Sequence, residues 1–421
     1  MRISVPYGDG SQEAEIRGDH SVRIIDAAVS PAAGPVEEMI REALDHPVGT
    51  PGLEQLVGPQ DRIAIIMNDQ TRPGPNGEIL EEIMKRLKTA GVPDDHVLVV
   101  IATGTHRAPE EEELKTIMGT VFYGTLAVHI HDCRDGSHVY LGETKTGMPL
   151  WINRQVAEAD FVIATGLIAP HHTAGFSGGR KSIVPGVAGM ETLRIHHSLP
   201  VRPYEPSMGI AEGNPFHETA LEAAKFVKVG FIVNVVQDAH KQNVGCVAGD
   251  MEEAHQKGME ICRRFNSVEV PEPADIVITS PGGAPRDCNL YQSQKAISAA
   301  ELFARKEGAV FILCARAEDG IGGKLLEEWL EEADGPQEVI DRFRKVGFQG
   351  GNNKAFMFAR AMLKGEVIVV SDRLDPEKLE KMMLSWAPDL QTAVDRVVDE
   401  SGNQSIIVLP RAVNLIPAFP K

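Results

Sequence analysis

The feature of this 421-residue chain that most restricts its fold is the regular alternation of short apolar runs with amphipathic segments. The apolar runs are RIAIIM (62–67), VLVVIATG (97–104), FVIATG (161–166), FIVNVV (231–236), DIVITS (275–280), AVFILC (309–314), VIVV (367–370) and SIIVLP (405–410). Amphipathic segments such as EILEEIMKRLKTAG lie between them. Runs of this length are typical of strands buried on both faces, with helices as the covering layers. The pattern therefore predicts an α/β fold with largely parallel sheets flanked by helices.

Two domains are expected, because a chain of this length exceeds one ordinary hydrophobic core. The segment PEPAD (271–275) has the composition of a linker and precedes a new series of strands and helices. We therefore predict an N-terminal domain over 1–270 and a C-terminal α/β domain over 271–421. All 14 histidines lie between His20 and His255. Metal or proton chemistry is accordingly expected mainly from the N-terminal domain, with an active site in the interdomain cleft that the C-terminal domain completes.

Charge and composition restrict the partners and the location of the protein. A formal net charge of -18 repels nucleic acid and anionic lipid, so an anionic substrate requires local cations. No run approaches the roughly 20 apolar residues of a membrane helix, and the first residues, MRISVPYGDG, lack the pattern of a secretory signal. Five scattered cysteines without a CxxC pair indicate neither a disulfide framework nor a zinc knuckle. We expect a cytoplasmic protein with no nucleic-acid partner and no membrane partner.

The segment APHHTAGFSGGRKSIVPGVAGMETLRIHHS (169–198) contains a glycine-rich turn next to a basic pair. Gly178 and Gly179 allow the backbone to turn sharply, and Arg180 and Lys181 add positive charge beside the turn. Such a loop suits a phosphate. Its spacing departs from the Walker pattern GxxxxGK[ST], which makes a P-loop NTPase a weak alternative. A solvated glycine-rich surface loop is the structural alternative.

The same segment contains two histidine pairs, His171–His172 and His196–His197. Adjacent side chains diverge, by about 100° in a helix, so only one member of each pair is expected to face a given site. One of the helical histidines is a candidate metal ligand. Ordinary packing is the alternative for each of the four.

Polar side chains also follow two earlier strands. NDQTRP supplies Asp69 and Arg72, and ATGTHR supplies His106. Ligands bind at the carboxyl ends of strands in open α/β sheets, where Arg72 can clamp a carboxylate and His106 can act as a general acid or base. Alternatively, Arg72 pairs only with Asp69, and His106 caps the helix that begins near Pro109.

In the second half, APRDCNLYQSQKAI (284–297) places Tyr291, Gln292 and Lys295 after the strand DIVITS, at the start of a helix. Their hydroxyl, amide and ammonium groups can complete an anion site. A helix start with solvated polar groups is the alternative for this segment.

Together, NDQTR, ATGTHR, PHHTAGFSGGRKSIVPG, RIHH and LYQSQK resemble the lactate racemase family in order and spacing, over most of the chain. The resemblance implies a racemase or epimerase that inverts C2 of a small anionic 2-hydroxy acid by proton-coupled hydride transfer. It also implies a nickel-pincer nucleotide, the pyridinium-3-thioamide-5-thiocarboxylic acid mononucleotide with Ni(II), in which two sulfur-containing arms and one ring carbon hold the metal. In the family, separate accessory enzymes build this cofactor.

The resemblance further implies a role for each motif residue. Lys181 would join the cofactor through a thioamide, His197 would complete the nickel coordination, and His106 and His171 would be the two acid/base groups. The remaining cofactor-binding residues would be Asp69, Ser177, Gly178, Gly179, Arg180 and Tyr291, and the substrate-binding residues would be Arg72, Gln292 and Lys295. Spacing from Lys181 within the family pattern favours His171 over His172 and His197 over His196.

The chain departs from the family pattern at one point. Lactate-directed members carry a tryptophan near the cofactor in the second domain, where GGNNKAFMF here offers Phe356 and Phe358. The substrate therefore stays open among lactate, malate, aryl-lactates and sugar acids. Two other function classes compete: a metal-dependent hydrolase, which lacks an HExxH helix here, and a nucleotide-binding regulatory protein in which SGGRK holds a phosphate without turnover.

Overall fold

The computed structural model describes residues 1–27, 30, 34–399 and 402–420. Its strands are β1 Arg2–Tyr7, β2 Gly10–Glu15, β3 Ser21–Ile24, β4 Ile63–Asn68, β5 Val97–Ala102, β6 Ala127–Ile130, β7 His138–Glu143, β8 Pro149–Asn153, β9 Phe161–Ile168, β10 Pro170–His171, β11 Gly175–Phe176, β12 Val229–Gln237, β13 Asn243–Gly249, β14 Ser267–Glu269, β15 Ile276–Thr279, β16 Ala309–Cys314, β17 Gly365–Val370, β18 Ser385–Ala387, β19 Ser405–Leu409 and β20 Ile416–Ala418. Its α-helices are α1 Val36–Asp45, α2 Leu53–Leu56, α3 Asn76–Thr89, α4 Glu111–Phe122, α5 Arg154–Ala157, α6 Met190–His196, α7 Pro215–Lys225, α8 Glu253–Asn266, α9 Leu290–Ala300, α10 Lys324–Glu331, α11 Pro336–Val346, α12 Asn353–Lys364, α13 Pro376–Lys381 and α14 Leu390–Val397.

The chain forms two compact units. The first unit comprises Val29–Pro203 and Gly209–Phe265, and the second unit comprises Met1–Ala28, Tyr204–Met208 and Asn266–Lys421. This division differs from the predicted boundary at residue 270, because the chain begins in the second unit. There β3 pairs with β19, from Ser21 opposite Ser405 to Ile24 opposite Val408.

The first unit is built on a six-stranded sheet of order β13-β12-β9-β4-β5-β6. Its strand pairs are parallel except for the antiparallel pair β12–β13. In β4, Ile63, Ile65 and Met67 belong to one apolar cluster, while Ala64 and Ile66 belong to another. Successive strand residues point to opposite faces, so these two clusters cover the two sides of the sheet. Both faces are buried, as the continuous apolar runs predict.

The second unit contains another six-stranded sheet, of order β18-β17-β16-β15-β19-β3, in which each strand pair is parallel. Its central strand β15 is fully buried along its four residues. The predicted α/β class with largely parallel sheets is therefore confirmed. None of the helices in the described ranges combines the length and the apolar character that crossing a membrane requires.

Candidate active site

The predicted site residues of the first unit lie where its sheet changes direction. From β4 the chain proceeds to β5 and β6 on one side, and β9 then takes the other side of β4. The loops that follow β4 and β9 therefore diverge and leave a crevice at the carboxyl ends of these strands. Open α/β sheets bind ligands in a crevice of this kind. Asp69 directly follows β4, and His171 lies three residues beyond β9.

A buried carboxylate orients His106. Oδ2 of Asp69 lies 2.6 Å from Nδ1 of His106, and Asp69 is only 2% exposed. Burial by itself raises the pKa of the Asp69 carboxyl, but the hydrogen bond and charge of His106, with smaller effects of Thr71 and Arg72, bring that pKa below its ordinary value. An ionised carboxylate only accepts hydrogen bonds, so Nδ1 of His106 donates to Asp69, and Nε2 is the ring nitrogen left for exchanging a proton with a ligand.

Arg72 does not form the ion pair with Asp69 that the sequence allowed. Its Nη1 donates instead to the carbonyl and the hydroxyl oxygen of Thr71, at 3.1 and 3.2 Å. No salt bridge joins it to a carboxylate of the described residues within 4.0 Å. The guanidinium is therefore suited to a carboxylate from outside the chain.

His171 belongs to a short hairpin in which β10 pairs with β11. The backbone N–H groups of Thr173 and Ala174 both donate to its Nδ1, each at 3.1 Å. Nδ1 is thus an acceptor, and in the neutral ring the proton resides on Nε2. Burial, reinforced by the charge of Lys181, keeps the pKa of His171 well below its ordinary value, so the ring is neutral at pH 7.

Lys181 lies in a 3-10 turn, Gly179–Ser182, and its Nζ is 3.2 Å from Nε2 of His171. Burial and the charges of Arg180, Arg72 and Arg202 hold the pKa of Lys181 well below its usual value. Since Nε2 of His171 carries the proton, the uncharged amine accepts this hydrogen bond. A neutral amine is the nucleophilic form of lysine, which suits covalent attachment of a ligand.

Polar groups of the SGGR turn form hydrogen bonds within the chain itself. Arg180 is fully buried, and its terminal nitrogens donate to the carbonyls of Gly178, Ala174 and Phe176 at 2.9 to 3.1 Å. The Ser177 hydroxyl donates to Leu167 at 2.8 Å, and the N–H of Gly179 donates to Asn234 at 2.8 Å. These hydrogen bonds hold the loop together, and direct binding of a cofactor phosphate by Ser177, Gly179 and Arg180 stays a prediction.

His255 extends this bracing from α8. Its Nε2 lies 3.1 Å from Nη1 of Arg180 and 2.9 Å from the carbonyl oxygen of Ser177. Burial lowers the pKa of Arg180 to about 9. Sequence reasoning missed His255, since no motif connects it to the turn 75 residues earlier.

The two histidines at the end of α6 differ in their surroundings. His196 is fully buried, its Nε2 lies 3.0 Å from the carbonyl of Phe216, and burial lowers its pKa to about 3. His197 is partly exposed at the helix end, with Nδ1 3.2 Å from the carbonyl of Leu193. A carbonyl accepts, so Nδ1 of His197 is the donor and Nε2 bears the lone pair. Burial holds the pKa of His197 well below its ordinary value, and a neutral imidazole is the form that binds metals.

Phe216 places His197 and Lys181 in one neighbourhood. The centroids of the His197 and Phe216 rings are 5.1 Å apart, and Nζ of Lys181 is 5.6 Å from the Phe216 centroid. Arg202 is also close enough to lower the pKa of both. Neither Phe216 nor Arg202 belongs to a motif that sequence reasoning could have identified.

Donors for a metal are few. Among the described residues, no group of three or more His, Cys, Asp or Glu side chains is placed to hold a metal ion.

In the second unit, the predicted polar residues lie on α9. Nζ of Lys295 donates to Gln292 at 2.9 Å, and the side chain of Asn289 caps the helix by accepting from the N–H of Gln292 at 2.9 Å. Burial raises the pKa of Tyr291, and Nζ of Lys354 lies 5.1 Å from the centre of its ring. Lys354 was not selected from the sequence, although it lies inside GGNNKAFMF.

Phe356 and Phe358, which lie in the segment where lactate-directed members carry a tryptophan, are not exposed to a ligand. Both are completely buried in α12, where Phe356 stacks on Phe343 with centroids 4.7 Å apart. They are core residues of the second unit, so the substrate preference must be tested directly.

Comparisons with known proteins agree with these motifs. The family model for the lactate racemase N-terminal domain matches residues 7–208, and the model for the C-terminal domain matches residues 269–416. The chain is 37% identical over 391 residues to the lactate racemase of Thermoanaerobacterium thermosaccharolyticum, covering 90% of each protein. It is 35% identical over 389 residues to the lactate racemase of Lactiplantibacillus plantarum, again covering 90% of each.

Solved structures show the same relationship. The lactate racemase apoprotein from Thermoanaerobacterium thermosaccharolyticum superposes with a TM-score of 0.89 at 33% identity, covering 99% of this chain and 100% of that one. A protein from Thermotoga maritima, with a TM-score of 0.66 at 15% identity over 93% of this chain and all of its own, shares the fold. The hydrolase and the nucleotide-binding regulatory protein are therefore set aside as function classes. The chain belongs to the lactate racemase family and is an isomerase of the racemase type.

Proposed function

We propose that this enzyme racemises lactate and that a nickel-pincer nucleotide linked to Lys181 is its cofactor. The observation that carries the proposal is the set of three nitrogen groups beside one crevice: Nε2 of His106, the N–H on Nε2 of His171 and the amine of Lys181. The substrate assignment rests on the two lactate racemases that the chain resembles. Malate and larger 2-hydroxy acids remain substrates to be compared.

The residues fit such a cofactor at two points. An amine held neutral by burial and by neighbouring cations is chemically ready to form a thioamide. His197 offers a lone pair on Nε2 because its Nδ1 bonds a carbonyl, which is how metal-binding histidines are commonly oriented. The braced SGGR turn, with Arg180 at its centre, would hold Lys181 in place. When bound, the cofactor would supply the hydride acceptor and donor for C2 of the substrate.

The chain's own residues would handle protons and orientation. Arg72 would bind the substrate carboxylate through its guanidinium. His106, through Nε2, would accept the hydroxyl proton of one enantiomer, and the N–H on Nε2 of His171 would give a proton to the oxygen as the other enantiomer forms. Two such groups are needed, because enantiomers anchored by the same carboxylate direct their hydroxyls to different sides. Tyr291, Gln292 and Lys295 are proposed to orient substrate or cofactor, supported by the family motif and by their position at the start of α9.

The cofactor would come from accessory enzymes, so the test requires their co-expression. We expect intact-mass spectrometry and nickel analysis to find a covalent adduct and bound nickel in the wild-type protein. The adduct should disappear in Lys181→Ala and persist in Lys145→Ala, which changes an exposed lysine of the same unit. An adduct of full mass on Lys181→Ala would refute the attachment site. A cytoplasmic location is also proposed, supported by five cysteines that are all free thiols.

The reaction itself is tested with enantiopure L-lactate in D2O. Hydride transfer conserves the hydrogen at C2, so D-lactate should form without deuterium at that carbon. L-malate and an aryl-lactate serve as competing substrates. Deuterium at C2 of the product would indicate proton abstraction and would overturn the proposed mechanism, while racemisation of malate alone would overturn only the substrate.

A further inference from the structure

The sheet of the second unit has its own change of direction. From β15 the chain proceeds to β16, β17 and β18 on one side, and β19 returns to the other side of β15. The loops after β15 and β19 therefore diverge at their carboxyl ends, which is the position where open α/β sheets bind ligands. None of the predicted site residues lies in these two loops.

A pocket of about 590 Å³ is located at this point. It is lined by Gly282 and Ala284 after β15, by Pro410 and Arg411 after β19, and by residues of the β1–β2 hairpin including Asp9. Every lining residue belongs to the second unit. The volume is in the range of pockets that hold small molecules.

Two arginines flank the glycine turn of this pocket. A β-carbon placed on Gly282, whose φ is +108°, would lie 3.5 Å from Nη1 of Arg286 and 3.5 Å from Cγ of Arg411. Nη1 of Arg411 donates to Asp26 at 2.6 Å. The guanidinium of Arg286 makes no hydrogen bond or ion pair with a described residue, while burial and the charge of Arg411 lower its pKa. A partly buried cation beside a like charge is stabilised by an anion.

Carboxylates also belong to the lining of this pocket. Asp9 is exposed on the turn between β1 and β2, and Asp26 follows β3, so two carboxylates also line the pocket. Carboxylates accept hydrogen bonds from hydroxyl groups. The guanidiniums of Arg286 and Arg411 beside the Gly282 turn match a phosphate, and the exposed carboxylate of Asp9 matches a hydroxyl of a polyhydroxy body.

We propose that this pocket binds a small phosphate monoester with free hydroxyl groups, of the sugar phosphate class. Arg286 and Arg411 hold the phosphate, and Asp9 accepts from a hydroxyl. The pocket is separate from the Tyr291 cluster, since Tyr291 packs against Gly323, which follows β16 on the other side of β15. There a β-carbon on Gly323 would lie 2.6 Å from Cδ2 of Tyr291. The inference does not depend on the proposed cofactor or substrate.

The test is calorimetric titration of the full chain with ribose 5-phosphate, inorganic phosphate and ribose. We expect one site for ribose 5-phosphate, competition by inorganic phosphate and much weaker binding of ribose. Arg286→Gln should weaken ribose 5-phosphate binding at least tenfold, and Arg411→Gln should do the same. Arg396→Gln, which removes an exposed cation of the same unit, is the matched control and should bind normally.

Two further variants make the result specific. Asp9→Asn should weaken ribose 5-phosphate but leave inorganic phosphate unchanged, and Asp9 is an exposed turn residue whose replacement leaves the core intact. Arg72→Gln should leave the binding unchanged, because Arg72 belongs to the other unit. The proposal is overturned if no binding is measured, if Arg286→Gln binds normally while folded by circular dichroism, or if the loss follows Arg72 instead.

Discussion

At the scale of single residues, the Asp69–His106 pair determines which ring nitrogen of His106 is basic. Replacing Asp69 by Asn leaves the size of the side chain unchanged but offers Nδ1 an amide donor, which moves the ring proton to Nε2. We expect Asp69→Asn to lower kcat on the order of 100-fold with a smaller change in KM, within the range for loss of general acid–base catalysis. Steady-state kinetics on cofactor-loaded enzyme measure this.

Asp95→Asn is the matched control, because Asp95 is exposed and lies before β5, away from the site. The loaded fraction, determined by intact mass, must be equal in both variants, so that kcat refers to the same amount of cofactor. An Asp69→Asn enzyme with the kcat of the wild type would show that the pair has no catalytic importance.

Sequence reasoning identified the family but could not assign the contacts of every residue in its motifs. Adjacent positions on a helix predicted that His196 and His197 differ, and in the structure His196 contacts the carbonyl oxygen of Phe216 while His197 contacts that of Leu193. The hydrogen-bond partners of Arg180 could not be predicted from the sequence, because they are backbone carbonyls of the same loop. Their positions are fixed only when the loop folds. A glycine-rich turn with a basic residue shows the same sequence pattern whether the basic side chain contacts a ligand or the backbone of its own loop.

At the scale of elements, the turn that presents Lys181 depends on Gly178. Its φ is +76°, and a β-carbon there would lie 2.7 Å from Cγ1 of Ile168 and 2.9 Å from Oδ1 of Asn234. Gly178→Ala therefore adds both backbone strain and overlap. We expect it to lower the free energy of unfolding by about 2–4 kcal/mol, from roughly 1 for the left-handed backbone and 1–3 for overpacking. Urea unfolding measures the change.

Gly147→Ala is the control for this substitution. Gly147 has nearly the same φ, +75°, but a β-carbon there meets no atom of the described chain within 4 Å. It should cost only the backbone contribution, about 1 kcal/mol. Equal losses in the two variants would mean that the contacts of Gly178 do not constrain the turn.

Strands were predictable in proportion to their burial. The strands β4, β5 and β9 appear in the sequence as continuous apolar runs because both faces of their sheet are covered. The strand β3 has no buried residue, since it forms the edge of its sheet, and its sequence SVRI contains no continuous apolar run. Missing this edge strand is also why the predicted domain boundary did not assign the first residues to the second unit.

At the scale of the molecule, lowering the pH should reduce the stability of the two units to different extents. The second unit contains one histidine, His20, and the other histidines belong to the first unit. Burial lowers the pKa of several of these: His131 to about 4, His196 and His217 to about 3, and His171, His197 and His255 well below the ordinary value. The unfolded chain binds these protons near pH 6.5, whereas the folded unit does not.

Stability from these histidines is therefore fully present above about pH 6.5 and is lost as pH falls toward 4. Each contributes up to about 1.4 kcal/mol per pH unit in this range. We expect the first unit to unfold at lower urea concentration at pH 5 than at pH 7.5, with a smaller shift for the second unit. Trp151 belongs to the first unit, while Trp329 and Trp386 belong to the second, so single-tryptophan variants report each separately.

His131→Gln should reduce the pH dependence of the first unit, and His20→Gln is the control from the second unit. If both units lost the same amount of stability between pH 7.5 and pH 5, the acid sensitivity could not be assigned to the buried histidines of the first unit.

The pairing of β3 with β19 has a consequence for how the protein is made. About 380 residues separate the two strands, so β3 leaves the ribosome long before its partner exists. At ordinary translation rates this interval is roughly 20–80 s. During that time the strands of the first unit's sheet have all been synthesised and the unit can fold, while β3 has no partner strand. A nascent chain halted near residue 270 would thus hold one finished unit and an unpaired edge strand, which is a natural substrate for a chaperone.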